Sequence, residues 1–180
     1  MSLREIMFFD KSKTMKTSHP AVVLFEKTLA EAKDGDAVAM FNLGVKYEIG
    51  EGVLEDDEEA VKWFRKAAEL GHAEAMFFLG IVYFRGKGVI EDDKEAVKWY
   101  RKAADVGYAK AMVHLGLMYA TGEGVIEDDV EAYGWFNVAA ANGYKRTAEL
   151  REMIKNDMTS EQIAEGQKRS REIMEFLTKK

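Results

Sequence analysis

A 36-residue period constrains this chain more than any other feature. Gly44, Gly80 and Gly116 stand 36 residues apart, and so do Trp63, Trp99 and Trp135, the only tryptophans among the 180 residues. Stacking 36–71, 72–107 and 108–143 places the same residue at eighteen columns, including Ala37, Met40, Leu43, Gly44, Tyr47, Gly50, Gly52, Val53, Ala60, Trp63 and Gly71 of the first unit. Self-similarity at this length marks supersecondary units that stack in a row, each too small to bury its apolar side alone. Four columns are glycine, so twelve of the fifteen glycines belong to the repeat.

Each unit reads as two helices. Met40, Leu43, Gly44 and Tyr47 follow the i, i+3, i+4, i+7 spacing of one buried face. Glycine inside a helix costs about 1 kcal/mol against alanine, so glycine at that register in all three units points to a close helix–helix approach. Gly50 and Gly52 break the helix, and Val53 is expected to plug the turn into the core. Asp57 is expected to cap the second helix, with Glu58 and Glu59 in its first turn. Ala60, Trp63, Ala67 and Ala68 make that helix's apolar face, and Gly71 closes it. The ends read as caps. Residues 18–35 carry a helix opened by Ser18 and Pro20 and running through Ala32. In 144–180, a helix from Tyr144 to Ile154 precedes a Thr159-x-x-Gln162 capping box and a final helix to about Leu177. Residues 1–17 show no clear pattern and are expected to be partly disordered. The expected fold is an all-α solenoid forming one domain.

The repeating unit A-x-A-M-x-x-L-G-x-x-Y-x-x-G-x-G-V-x-x-D-D-x-x-A-x-x-W-x-x-x-A-A-x-x-G resembles the Sel-one-like repeat (SLR), a tetratricopeptide-like unit, and Met158 to Glu165 is similar to the ending of bacterial members. The resemblance implies a right-handed superhelix and work as an adaptor that binds proteins. Some cysteine-rich members are described as penicillin-binding or β-lactamase-like, and this chain lacks their cysteines. In the third unit Gly134 stands where Lys62 and Lys98 stand, and Asn137-Val138 replaces Arg-Lys, which is expected to loosen that unit's polar face.

Composition removes several chemistries. Without cysteine there is no disulfide, thiolate metal site or cysteine nucleophile. Residues 36–143 hold 11 basic and 20 acidic side chains, a net −9 that repels phosphate backbones and anionic lipid, so neither nucleic acid nor membrane is an expected partner. No apolar run reaches the ~18 residues of a span. Met1–Phe9 is interrupted by Arg4 and Glu5, so the chain reads as cytoplasmic, and a periplasmic or secreted form with its leader removed would look the same.

The Glu-Asp-Asp triplets at 55–57, 91–93 and 127–129 lack the alternate-position ligands and terminal glutamate of a calcium loop, and read as helix starts. No serine has a lysine three residues on, as a β-lactamase would need. His19, His72 and His114 form no metal pair, and Gly50-Glu51-Gly52 follows a helix where a dinucleotide cradle follows a strand. No cofactor, metal or catalytic residue is assigned. A hydrolase and a self-associating structural module stand as the alternatives to an adaptor.

What varies among the units is one face of the first helix. Positions 38, 42, 45 and 49 point away from its apolar face, with 46 flanking. Column 45 (Val45, Ile81, Leu117) is apolar throughout, as an extension of the core would be, and the other columns change chemistry from unit to unit: Val38, Glu74, Lys110; Asn42, Phe78, His114; Lys46, Val82, Met118; Ile49, Arg85, Thr121. First helices of such pairs line the concave side, so Asn42, Lys46, Glu74, Phe78, Val82, Lys110, His114 and Met118 are the candidate groove for a protein or peptide. Phe78→Asp with Met118→Asp is expected to abolish partner capture and spare the helices.

Overall fold

The computed structural model describes residues 19–144 and 147–179, and among them all regular structure is helical. Ser18 and the segment 1–17 lie outside the described residues. The first helix among the described residues, α1 (Pro20–Lys33), has His19 as its N-cap, whose Nδ1 accepts from the Ala21 N–H at 3.3 Å, with Pro20 at the first helical position.

Three pairs follow: α2 (Ala37–Ile49) with α3 (Asp57–Glu69), α4 (Ala73–Arg85) with α5 (Asp93–Asp105), and α6 (Ala109–Thr121) with α7 (Asp129–Ala141). Each helix packs on its predecessor, and the buried apolar residues form one core running from Phe41 and Phe64 of the first unit through the later ones, with a second, smaller cluster where Leu43 and Trp63 pack with Phe25 of α1. Within each pair the glycine of the first helix receives an aromatic ring of the second. A Cβ at Gly44 would stand 2.6 Å from the Phe64 ring, one at Gly116 would stand 2.6 Å from the Phe136 ring, and Gly80 meets Tyr100 in the same way. Phe64, Tyr100 and Phe136 are buried, so these contacts fix how closely the helices approach.

The caps differ from the expected ones by a single position. Asp56, Asp92 and Asp128 cap the second helices, accepting the backbone N–H of Glu59, Glu95 and Glu131 at 2.9–3.0 Å, while Asp57 is the first helical residue. Asp57 takes a different partner: the Lys87 ammonium of the next unit binds its carboxylate at 3.0 Å. Gly50, Gly86 and Gly122 end the first helices in the left-handed conformation, as the turn requires. Val53 is half-buried against α1, packing with Phe25, Leu43 and Trp63.

Beyond the pairs lies α8 (Thr147–Asp157), residues 145 and 146 before it being outside the described ones, and the Thr159–Gln162 capping box opens α9 (Ser160–Thr178) with both of its hydrogen bonds made. Helix α9 packs along α7, which accounts for the departures in the third unit. In the first two units Arg65 donates to the Tyr83 hydroxyl and Arg101 to the Tyr119 hydroxyl, each tying one unit to the next. Lys66 and Lys102 lie 3.9 Å over the rings of Trp63 and Trp99. On α7 that face is covered, not loosened. A Cβ at Gly166 of α9 would lie 2.7 Å from Tyr133, and one at Gly134 would lie 3.1 Å from the Arg169 stem, while Val138 is fully buried. Arg169 also pairs with Glu131. A helix that is apolar all round is one packed on all sides.

Candidate functional site

The face that varies among α2, α4 and α6 is built on rigid elements. Val38, Asn42 and Ile49 are exposed on α2, as the helical wheel requires, and Val45, Ile81 and Leu117 are half-buried at the edge of the core. The eight candidate residues divide by depth. Asn42 and Lys110 are exposed, Glu74, Phe78 and His114 are half-buried, and Lys46, Val82 and Met118 are buried. Met118 is 3% exposed, so an aspartate there attacks the core and does not test a surface.

Several of these residues are brought together. The Tyr108 hydroxyl donates to the Glu74 carboxylate at 3.2 Å, and the Lys110 ammonium lies 5.9 Å over the Tyr108 ring, linking the start of α4 to the start of α6. Burial, and after it the Glu74 charge, pushes the Tyr108 hydroxyl up to about 12, so Tyr108 stays a donor at neutral pH. Phe78 joins a ring cluster, edge-on to Phe41 at 5.2 Å and tilted against Phe64 at 5.4 Å. His114 packs 5.1 Å from both Phe77 and Tyr100, and burial together with Arg85 lowers its pKa, favouring the neutral ring. Lys46 is held by Glu51 at 2.7 Å in the column that Val82 and Met118 fill with apolar side chains. Asn42 stands apart from these contacts on α2.

One feature of the face is absent from the residues picked by pattern. Between α6 and α8 an open cleft of roughly 580 Å³ is floored by Leu117, Phe136, Leu150 and Met153 and rimmed by Glu127, Asp129 and Asp157. Burial, reinforced by Glu127, Asp157 and Asp128, raises the Asp129 carboxyl above its ordinary value. The signal is in the period: Leu150 and Met153 lie 36 residues after His114 and Leu117, so α8 extends the variable face by one more helix. Among the described residues no group of three or more His, Asp or Glu side chains is arranged to hold a metal, and no helix is long and apolar enough to cross a membrane.

Comparison with known proteins agrees with this geometry. The Sel1 repeat model matches at 37–72, 73–108 and 109–144. The chain is similar to c5321, a protective antigen present in uropathogenic Escherichia coli strains displaying an SLR fold. Identity is 36% and the TM-score 0.78, over 85% of this chain and 33% of that one. It is also similar to a Sel1 repeat protein from Oxalobacter formigenes, with 38% identity and a TM-score of 0.69 over 73% of this chain and 54% of that one. The chain thus spans about a third and about half of their lengths. Cysteine rich protein B of Helicobacter pylori, 21% identical with a TM-score of 0.57 over 71% of this chain and 96% of that one, shares the fold. Among curated proteins no relative matches. Three matched units in tandem, each a helix pair closed by the same glycine–aromatic contact, place the chain in the Sel1 repeat family.

Proposed function

We propose that this protein is a non-enzymatic scaffold that binds a protein or peptide on the face formed by α2, α4, α6 and α8. Sel1 repeats are in general protein-interaction modules, and that coarser role comes with the family. The observation that carries the finer reading is the contrast between a fixed frame and a changing surface. Leu43, Gly44 and Tyr47 recur unchanged, while the outward column runs Val38, Glu74, Lys110. In this reading Asn42, Glu74, Phe78, Lys110 and His114 meet the partner, Lys46, Val82 and Met118 support them from beneath, and the α6–α8 cleft takes an apolar side chain. A few such anchors dominate interface energy.

The test uses exposed positions only. Lys110→Glu with Met153→Asp should leave the circular dichroism spectrum and melting temperature near those of the parent and remove the proteins captured specifically by the tagged parent from its own cells. An unchanged set of captured proteins would refute the assignment of this face.

A further inference from the structure

Column 54 of the repeat is aliphatic in all three units, and it is also the most exposed apolar column among the described residues: Leu54 is 85% exposed, Ile90 90% and Ile126 89%. A single exposed aliphatic side chain is ordinary. Three at one register, in a turn where the preceding Val53, Val89 and Val125 are turned inward and half-buried, form a pattern.

The turns that carry them are fixed. The N–H of Asp56 donates to the Tyr47 carbonyl at 3.0 Å, that of Asp92 to Tyr83 at 3.0 Å and that of Asp128 to Tyr119 at 2.9 Å. Each turn also seats against the preceding unit: Gly88 abuts the backbone of Asp57 and Gly124 that of Asp93, with no room for a Cβ at either. The three side chains therefore stand at the same register along the turn edge of the solenoid, one per unit, on turns whose backbone is fixed by these contacts.

The charge around the row is one-sided. Segments 51–58, 87–94 and 123–130 hold twelve acidic residues and two lysines, and one of those lysines, Lys87, is engaged by Asp57 and by Glu48. Glu55, Glu91 and Glu127 are exposed directly beside the aliphatic residues. An apolar row between carboxylates repels phosphate and anionic lipid, and it repels a second copy of the same edge.

We propose that this edge is a second interaction surface, which meets the α2–α4–α6–α8 face only at Glu127 and Asp129 on the rim of the α6–α8 cleft and docks a cationic amphipathic segment of a partner protein. Apolar side chains of the segment cover Leu54, Ile90 and Ile126, and its lysines or arginines meet the flanking carboxylates. The row gives register, since its teeth are spaced by the repeat, and the charge speeds encounter.

The experiment titrates the intact protein into a fluorescein-labelled 18-residue peptide composed of leucine and lysine, read by anisotropy. The parent is expected to bind it, to bind it at least tenfold more weakly at 300 mM than at 50 mM salt, and not to bind the peptide with glutamate in place of lysine. The Leu54→Ser/Ile90→Ser/Ile126→Ser variant, which alters no charge and no buried side chain, is expected to lose at least tenfold in affinity with its circular dichroism unchanged. Backbone amide shifts on binding should cluster at 51–57, 87–93 and 123–129. The Lys110→Glu/Met153→Asp variant, which only adds negative charge, should bind the peptide at least as tightly as the parent does. Affinity of the triple variant within twofold of the parent would overturn the proposal. So would shifts clustered on the first-helix face, a tenfold loss in the Lys110→Glu/Met153→Asp variant, or sedimentation showing that the parent self-associates through this row and the triple variant does not.

Discussion

Adding one methyl group at Gly80 should have opposite effects in two backgrounds. In the parent, a Cβ at Gly80 falls onto the Tyr100 ring, at a separation no pair of carbon atoms tolerates, so the ring must retreat by about 1 Å. It has nowhere to go. Tyr100 is 1% exposed and wedged between Phe77 at 5.8 Å and His114 at 5.1 Å. Overpacking of this kind costs about 1–3 kcal/mol. The better helix propensity of alanine returns about 1 kcal/mol, leaving Gly80→Ala neutral to about 2 kcal/mol destabilising. With Tyr100→Ala the obstacle is gone and only the propensity gain remains, so the same substitution should stabilise by about 1 kcal/mol. The cycle therefore yields a coupling of about 1–3 kcal/mol, or several degrees of melting temperature at 2–4 °C per kcal/mol for a chain of this size. Circular dichroism melts of the four proteins read it, in sulfate buffer so that the costly Tyr100→Ala background stays folded. Gly107→Ala is the control: it has open space around it but a φ of +88°, so its cost is backbone strain and should not depend on Tyr100. Equal effects of Gly80→Ala in both backgrounds would refute the view that ring contact sets the helix spacing.

Three further outcomes concern Lys46, Glu51 and His114. Lys46→Met places in the first unit the residue that the third already has in that column, and it should hold or raise the melting temperature, whereas Glu51→Ala strands a buried ammonium and should cost about 1–2 kcal/mol in urea unfolding. His114 is kept neutral in the folded protein, so the unfolded chain takes up a proton near pH 6.5 that the folded one refuses. Its contribution is complete above that pH and is lost as pH falls through it, so His114→Gln should narrow the gap in melting temperature between pH 7.5 and 5.0, and an unchanged gap would refute the assignment.

The frame was legible because it is written three times. Glycine and tryptophan at a 36-residue step gave the helix pairs, and the glycine column correctly implied a close approach whose counterpart, the ring of Phe64, Tyr100 or Phe136, sits in a column that is aromatic without being identical. The cap moved from Asp57 to Asp56 because adjacent aspartates offer the same chemistry and only the backbone decides which one precedes the helix. Helix α9 was legible as a helix, but its resting place was not, since a capping box says nothing about what a helix lies upon. The clue was Gly134, Tyr133 and Val138, substitutions that make sense only when another helix covers α7. At the candidate face the wheel found the exposed positions of α2 but not depth: Phe78 and His114, in the outward column of Asn42, pack on core rings, and the flanking column of Lys46, Val82 and Met118 is buried.

The docking of α9 on α7 makes the third unit a terminus by composition. The first two units present to their successors the same arginine and lysine arrangement, so a further 36-residue copy inserted between them would find matching partners on both sides. A copy inserted after the third would not, because Tyr133 is fitted to Gly166 and Gly134 to the Arg169 stem of α9. Copy number in this array is therefore free to change in its interior and fixed where α9 covers α7, and any lengthening of the proposed interaction faces by this route has to occur upstream of α7.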